Sequence, residues 1–226
     1  MTPPTTTKVM APMTFKQPTA LDYDKPQDDL VAKAVSVLRT GGLVVAPTET
    51  RYGLLARADF APALGLLYSV KGRPASLPTA IFARSAAMIW GYGRRTEIAE
   101  ALADRFLPGP LTLILEAVCE LREPVVQEGK IGVRFSPAPI IERIVGEVEF
   151  PVTATSANVS GTGDLETARE IADALGDGVD LILDCGSMAS PPSTVVDCSG
   201  SSPYIIREGA IRGDSIREAT GLEINE

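Results

Sequence analysis

A chain of 226 residues with 45% hydrophobic content is long enough to bury one large α/β core or two small ones. Its net charge of −8 argues against indiscriminate wrapping of a polyanion, which needs Lys and Arg to neutralise phosphates, and leaves room only for a local basic cleft. The absence of histidine removes Ser-His-Asp and Cys-His catalysis and the common histidine metal sites, so chemistry must rest on Lys, Arg, carboxylates, hydroxyls or backbone groups.

Residues 1–27 are rich in Pro and Thr without a sustained period and read as an extended or partly disordered arm. Folding is expected to begin near Asp28. Acids in the first turn, apolar residues at helical spacing and the pair Gly41-Gly42 predict a helix ending near Thr40. A buried strand follows over Leu43 to Ala46, then the polar loop Pro47-Thr-Glu-Thr-Arg-Tyr-Gly53, a helix over about Ala61 to Val70 and a strand over Thr79 to Ala83. The alternation continues with a helix around Glu97 to Arg105, strands at Leu111 to Glu116 and Ile131 to Phe135, and a helix near Pro139 to Val145. A strand at Val152 to Ala154, a helix at Glu166 to Leu175 and strands near Leu181 to Leu183, Thr194 to Val196 and Tyr204 to Arg207 complete the series, with 213–226 a C-terminal helix or tail. Several strands stand too close in sequence for helical crossovers, so the expected fold is one α/β domain over 28–212 with a mixed sheet.

No apolar run approaches the roughly 20 residues of a membrane span, and the first residues lack the layout of a signal peptide, so the expected compartment is the cytoplasm. Cys119, Cys185 and Cys198 are an odd count without C-x-x-C spacing, which signals neither a disulfide framework nor a zinc site. No feature of the sequence encodes an oligomeric state.

Polar clusters stand at the ends of apolar runs, where open α/β sheets place their ligands. The loop 47–53 carries two hydroxyls, an acid and a base where a plain turn needs Gly, Pro, Asn or Asp. Lys71-Gly-Arg73 follows a helix; its two cations either reach one phosphate chain or merely complement the helix C-terminus. Arg134 stands in an otherwise apolar strand and requires a partner, either a protein carboxylate or an anionic ligand. Thr153-Ala-Thr-Ser-Ala-Asn-Val-Ser-Gly161 offers small donors that suit either a helix cap or a nucleotide pocket. Neither a P-loop nor a Gly-x-Gly-x-x-Gly after a strand is present.

The order and wording of these clusters resemble the YrdC/TsaC family of L-threonylcarbamoyladenylate synthases. The matching pieces are Pro47-Thr-Glu-Thr-Arg-Tyr-Gly53, Lys71-Gly-Arg73-Pro, Pro108-Gly-Pro-Leu-Thr112, Val133-Arg134, Thr155-Ser-Ala-Asn-Val-Ser-Gly161, Ser193-Thr194 and Arg207-Glu-Gly209. The resemblance implies a twisted mixed sheet flanked by helices around a large concave, cationic cleft. It implies an enzyme that joins L-threonine, bicarbonate and ATP into threonylcarbamoyl-AMP and pyrophosphate for the t6A modification of tRNA, with Mg2+ carried in by ATP and no metal site of its own. Further partners would be tRNA or double-stranded RNA and proteins of that modification pathway. Thr50, Arg134 and Ser193 would contact threonine, helped by the backbone at Ala154; Arg73, Ser156 and Arg207 would bind ATP with Lys71 and Asn158 close by. Lys71 and Arg73 would supply the catalytic cations. Leu77, Phe82 and Asp164 stand where the family pattern has polar contacts, which keeps open a paralogue of the YciO kind that binds nucleotide or RNA without synthesis, or a different carbamoyl acceptor.

Overall fold

The computed structural model describes residues 17–221. Thr19–Ala20 forms β1, Asp28–Arg39 α1, Val44–Pro47 β2, Tyr52–Leu55 β3, Ala61–Lys71 α2, Ala80–Phe82 β4, Ala86–Tyr92 α3 and Glu97–Phe106 α4. Leu111–Glu116, Val126–Gln127 and Lys130–Arg134 are β5, β6 and β7, followed by Pro139–Gly146 as α5 and Val152–Ser156 as β8. Ala168–Leu175 is α6; β9 (Leu181–Asp184), β10 (Thr194–Asp197), β11 (Tyr204–Arg207) and α7 (Gly213–Thr220) close the chain.

The strands join in one mixed sheet in the order β1-β9-β2-β3-β8-β4-β7-β5-β10-β11, with β6 paired to the start of β7. β1 with β9, β2 with β9, β4 with β7 and β5 with β10 run parallel; the other pairs are antiparallel. Local chemistry explains the helix starts. Asp28 and Asp29 sit in the first turn of α1, where carboxylates meet the positive end of the helix dipole. Thr167 and Glu170 form a reciprocal capping box on α6.

Side chains alternate across each strand, and this divides the sheet into two unlike halves. Around β2, β3 and β9 both faces are covered. α1 and α5 bury Leu30, Val31, Ile140 and Ile144 on one side with Val44, Ala46 and Leu183; α2 and α6 bury Ala63, Leu67, Ile171 and Leu175 on the other with Val45, Leu54 and Ile182. In the half built from β4, β7, β5 and β10, one face packs Ile81, Val133, Leu111, Leu113 and Val196 against Ile89 of α3, Leu102 of α4 and Ile216 of α7. The opposite face of that half carries Phe82, Arg134, Gly132, Thr112, Ile114, Val195 and Asp197 and lines a cleft.

Four elements, β1, β3, β6 and α3, differ from the sequence expectation. The folded body starts before Asp28: Thr19 and Ala20 pair with Leu183 and Asp184, and Leu21 is buried among α1 and α5. The earlier part of the expected arm, residues 1–16, lies outside the described residues, as do 222–226 of the tail. The motif loop is a tight hairpin, because Tyr52 and Gly53 already belong to β3 and pair with Pro47 and Ala46. α3 and β6 fill stretches for which no element was expected. The stretch 213–220, expected as helix or tail, is helical, with Ile216 fully buried.

Candidate active site

The cleft has a volume of about 520 Å³. Its floor is low because small residues stand on the open face of the sheet. At Gly132 a Cβ would lie 2.9 Å from the Ala80 Cβ and 3.2 Å from Ile114 Cδ1, so a side chain there would force neighbours aside and fill the floor. The walls come from the β2–β3 hairpin, the segment after α2, the loop after β8 and the β10–β11 edge.

The hairpin is a closed hydrogen-bond system. Thr48 Oγ1 accepts from the amides of Thr50 and Arg51 at 3.2 Å each and donates to the Arg51 carbonyl at 2.7 Å. Thr48 therefore holds the turn that presents its neighbours. Arg134 reaches it from β7: Nη2 donates to Glu49 Oε1 at 2.6 Å and to Thr50 Oγ1 at 2.7 Å, while Nε donates to Glu49 Oε1 at 3.2 Å. Ser136 Oγ donates to the other carboxylate oxygen of Glu49. Both members of the Glu49–Arg134 pair are nearly buried, at 11% side-chain exposure each, so the strand arginine has found the protein carboxylate that its burial demands. The next base of the hairpin, Arg51, meets Asp164 at 3.3 Å across the cleft rim.

On the adjoining wall, Arg73 donates from Nη2 to the Pro78 carbonyl at 2.7 Å and from Nε to the Leu77 carbonyl at 3.3 Å, which fixes its guanidinium at the cleft edge. Lys71 behaves differently. Its ammonium is 1% exposed as a residue and donates to the carbonyls of Ser156 and Asn158, the latter at 2.8 Å, and to Asn158 Oδ1 at 3.5 Å. Burial, with Arg73 nearby as a lesser cause, pushes its pKa down to about 8. Lys71 and Asn158 lie behind the cleft wall, tying the loop after β8 to the end of α2; Ser156 donates to Asn158 Oδ1 and faces the cleft.

The β10–β11 edge supplies the last group. Arg207 donates from Nε and Nη2 to the Ser193 carbonyl at 3.2 and 2.9 Å and from Nη2 to Ser193 Oγ at 3.2 Å; Ser193 Oγ also lies 3.1 Å from Thr112 Oγ1. Gly209 is needed for this approach, since a Cβ there would stand 2.2 Å from the Pro192 carbonyl oxygen and 2.8 Å from that of Ser193. The Arg207 pKa is lowered, first by burial and then by the charge of Arg134, with Arg51 adding to it and Asp164 opposing it. Three guanidiniums thus crowd one end of the cleft, an arrangement that favours an anion.

Thr50, Arg73, Arg134, Ala154, Ser156, Ser193 and Arg207, far apart in sequence, all line this single cleft, together with the variant positions Phe82 and Asp164. Leu77 is half exposed beside Arg73, whose guanidinium binds the Leu77 backbone, so an apolar side chain is compatible with that role. The sequence reading missed Lys130, which pairs with Asp197 at 2.8 Å at the far end. Burial pushes the Asp197 carboxyl up, but the Lys130 and Ser199 hydrogen bonds outweigh it and leave its pKa below the ordinary value. The available signal was the alternation of β7, which puts Lys130, Gly132 and Arg134 on one face.

A sequence model of the family grouping Sua5, YciO and YrdC, described as "Telomere recombination", matches residues 36–209. The threonylcarbamoyl-AMP synthase of Bacillus subtilis is 32% identical over 198 residues, which are 86% of this chain and 57% of that protein, so the chain spans little more than half its length. The crystal structure of Pyrococcus abyssi Sua5 complexed with L-threonine superposes with a TM-score of 0.83 at 30% identity, covering 92% of this chain and 62% of that one. Escherichia coli YciO superposes with a TM-score of 0.82 at 26% identity, covering 90% and 98%. With its motifs gathered in one cleft and the family match extending over most of its length, the chain belongs to the Sua5/YciO/YrdC family.

Proposed function

We propose that the chain is an L-threonylcarbamoyladenylate synthase, a nucleotidyltransferase that makes threonylcarbamoyl-AMP and pyrophosphate from L-threonine, bicarbonate and ATP. The observation that carries this reading is the convergence of Arg73, Arg134 and Arg207 with Thr50, Ser156 and Ser193 on one cleft, together with the activity named for the Bacillus subtilis relative and the threonine named for the Pyrococcus abyssi structure.

Arg134, fixed by Glu49 and Thr50, offers the rest of its guanidinium to the threonine carboxylate, with Ser193 and the Ala154 backbone beside it. Arg73, Ser156 and Arg207 take the nucleotide. The threonine amine and bicarbonate condense to a carbamate with loss of water; a carbamate oxygen attacks the α-phosphorus, the bond to the bridging oxygen breaks and pyrophosphate leaves. No histidine or covalent enzyme intermediate is required, because positioning and cationic stabilisation of phosphate charge carry the step. Arg73 acts on that charge directly, and Lys71 acts by holding the loop that presents Ser156.

Among the described residues no group of three or more Cys, Asp or Glu is arranged to hold a metal, and Glu49 and Asp197 are committed to cations. These residues fit Mg2+ only as a companion of the nucleotide phosphates, where it would neutralise charge. Transfer to tRNA would follow release of the product. Incubation with ATP, Mg2+, L-threonine and 13C-bicarbonate, read by mass spectrometry, is expected to give 13C-labelled threonylcarbamoyl-AMP, and Arg73→Ala is expected to lower its rate at least about 100-fold. Folded protein that forms no labelled product contradicts the proposal.

A further inference from the structure

The cleft holds two ion pairs of unequal quality. Glu49 grips Arg134 at 2.6 Å, with both side chains nearly buried and further hydrogen bonds from Thr50 and Ser136 around them. Asp164 meets Arg51 through one contact of 3.3 Å, long for a charge-assisted bond, and the Asp164 side chain is 43% exposed. Arg51 itself is only 16% exposed, and its Nε is buried without a hydrogen-bond partner among the described residues. A surface pair of this kind contributes little to stability. It does place a third guanidinium beside Arg207 and Arg134, at an energetic disadvantage that an incoming anion would relieve.

We propose that Arg51 is an additional polyphosphate-binding residue, and that Asp164 is its displaceable counter-ion, occupying the guanidinium until phosphate oxygens replace it. Asp164 belongs to the loop between β8 and α6, which starts directly after Ser156, whereas Arg51 belongs to the β2–β3 hairpin. Exchange of partner would therefore release the rim contact between two walls of the cleft as the anion enters.

The inference rests on the reading of the cleft as a polyphosphate site. It is tested by titration calorimetry with inorganic tripolyphosphate on the full chain, using Asp164→Asn, Arg51→Gln and the double variant. Asp164→Asn is expected to bind about fivefold more tightly, the equivalent of one exposed ion pair, and Arg51→Gln about tenfold more weakly, the equivalent of one charge-assisted hydrogen bond. In the Arg51→Gln background, Asp164→Asn should change affinity by less than about twofold, because the carboxylate then has no guanidinium to occupy. Equal gains from Asp164→Asn in both backgrounds would show plain charge repulsion and overturn the proposal, as would unchanged affinity in Arg51→Gln. If Arg51→Gln does not fold, Asp164→Asn decides alone through inorganic phosphate: tighter binding of both tripolyphosphate and monophosphate shows plain charge repulsion and overturns the proposal, and tighter tripolyphosphate alone supports it. Tripolyphosphate carries neither base nor threonine, so loss of this coupling in an active synthase removes the inference alone, and intact coupling in an inactive protein removes only the synthase reading.

Discussion

Glu49 and Arg134 each satisfy the other's charge in a site that excludes most water, so removing one member is costlier than weakening the pair. Arg134→Ala leaves a nearly buried carboxylate with only Ser136 and is expected to destabilise the fold by about 3–5 kcal/mol in urea unfolding, with loss of threonine binding. Glu49→Gln keeps a hydrogen-bond acceptor and is expected to cost less than half of that. Equal costs would mean that the pair does not act as a unit. Lys71 makes a separate prediction. Its pKa falls from 10.5 to about 8 on folding, so between about pH 8 and 10.5 the unfolded chain binds more protons than the folded one, and stability contributed by this group rises with pH across that window. Wild type should gain stability relative to Lys71→Met as pH rises from 8 to 10; a flat difference would show that its three acceptors keep the ammonium charged.

At the scale of elements, the β10–β11 edge depends on close backbone approach. Gly209→Ala places a methyl within 2.2 Å of the Pro192 carbonyl oxygen, and the expected result is a loss of about 1–3 kcal/mol together with weaker nucleotide binding through displaced Arg207. Nucleotide affinity unchanged in Gly209→Ala would separate Arg207 from the site. Elements with strong local signals were legible in the sequence. α1 has its acids, its apolar stripe and its glycine stop, and β5 and β7 are long apolar runs. α3 was not: it has seven residues, a glycine at position 91 and an N-cap that is one serine among many. β3 was hidden because its first residues belong to a polar motif, and β6 because two residues carry no period. β1 exists only through its partner β9, more than 160 positions away in the chain, which no local pattern announces.

For the molecule as a whole, a net charge of −8 coexists with a cleft where Arg51, Arg73, Arg134 and Arg207 gather, with Glu128, Asp164 and Asp197 also in its lining. The motifs that line the cleft were visible in the sequence because each stands at the end of an apolar run. Their long-range pairing was not: Glu49 with Arg134, Arg51 with Asp164 and Lys71 with the 156–158 carbonyls follow from the order in which strands enter the sheet. Among the described residues that topology leaves one face of the β4-β7-β5-β10 half uncovered, and the proposed chemistry depends on it. The most direct test is a crystal structure of the chain with L-threonine and a non-hydrolysable ATP analogue. The threonine carboxylate on Arg134 and phosphates on Arg73 and Arg207 are the expected result. Occupied ligands bound elsewhere, with those three arginines unchanged, would contradict the account.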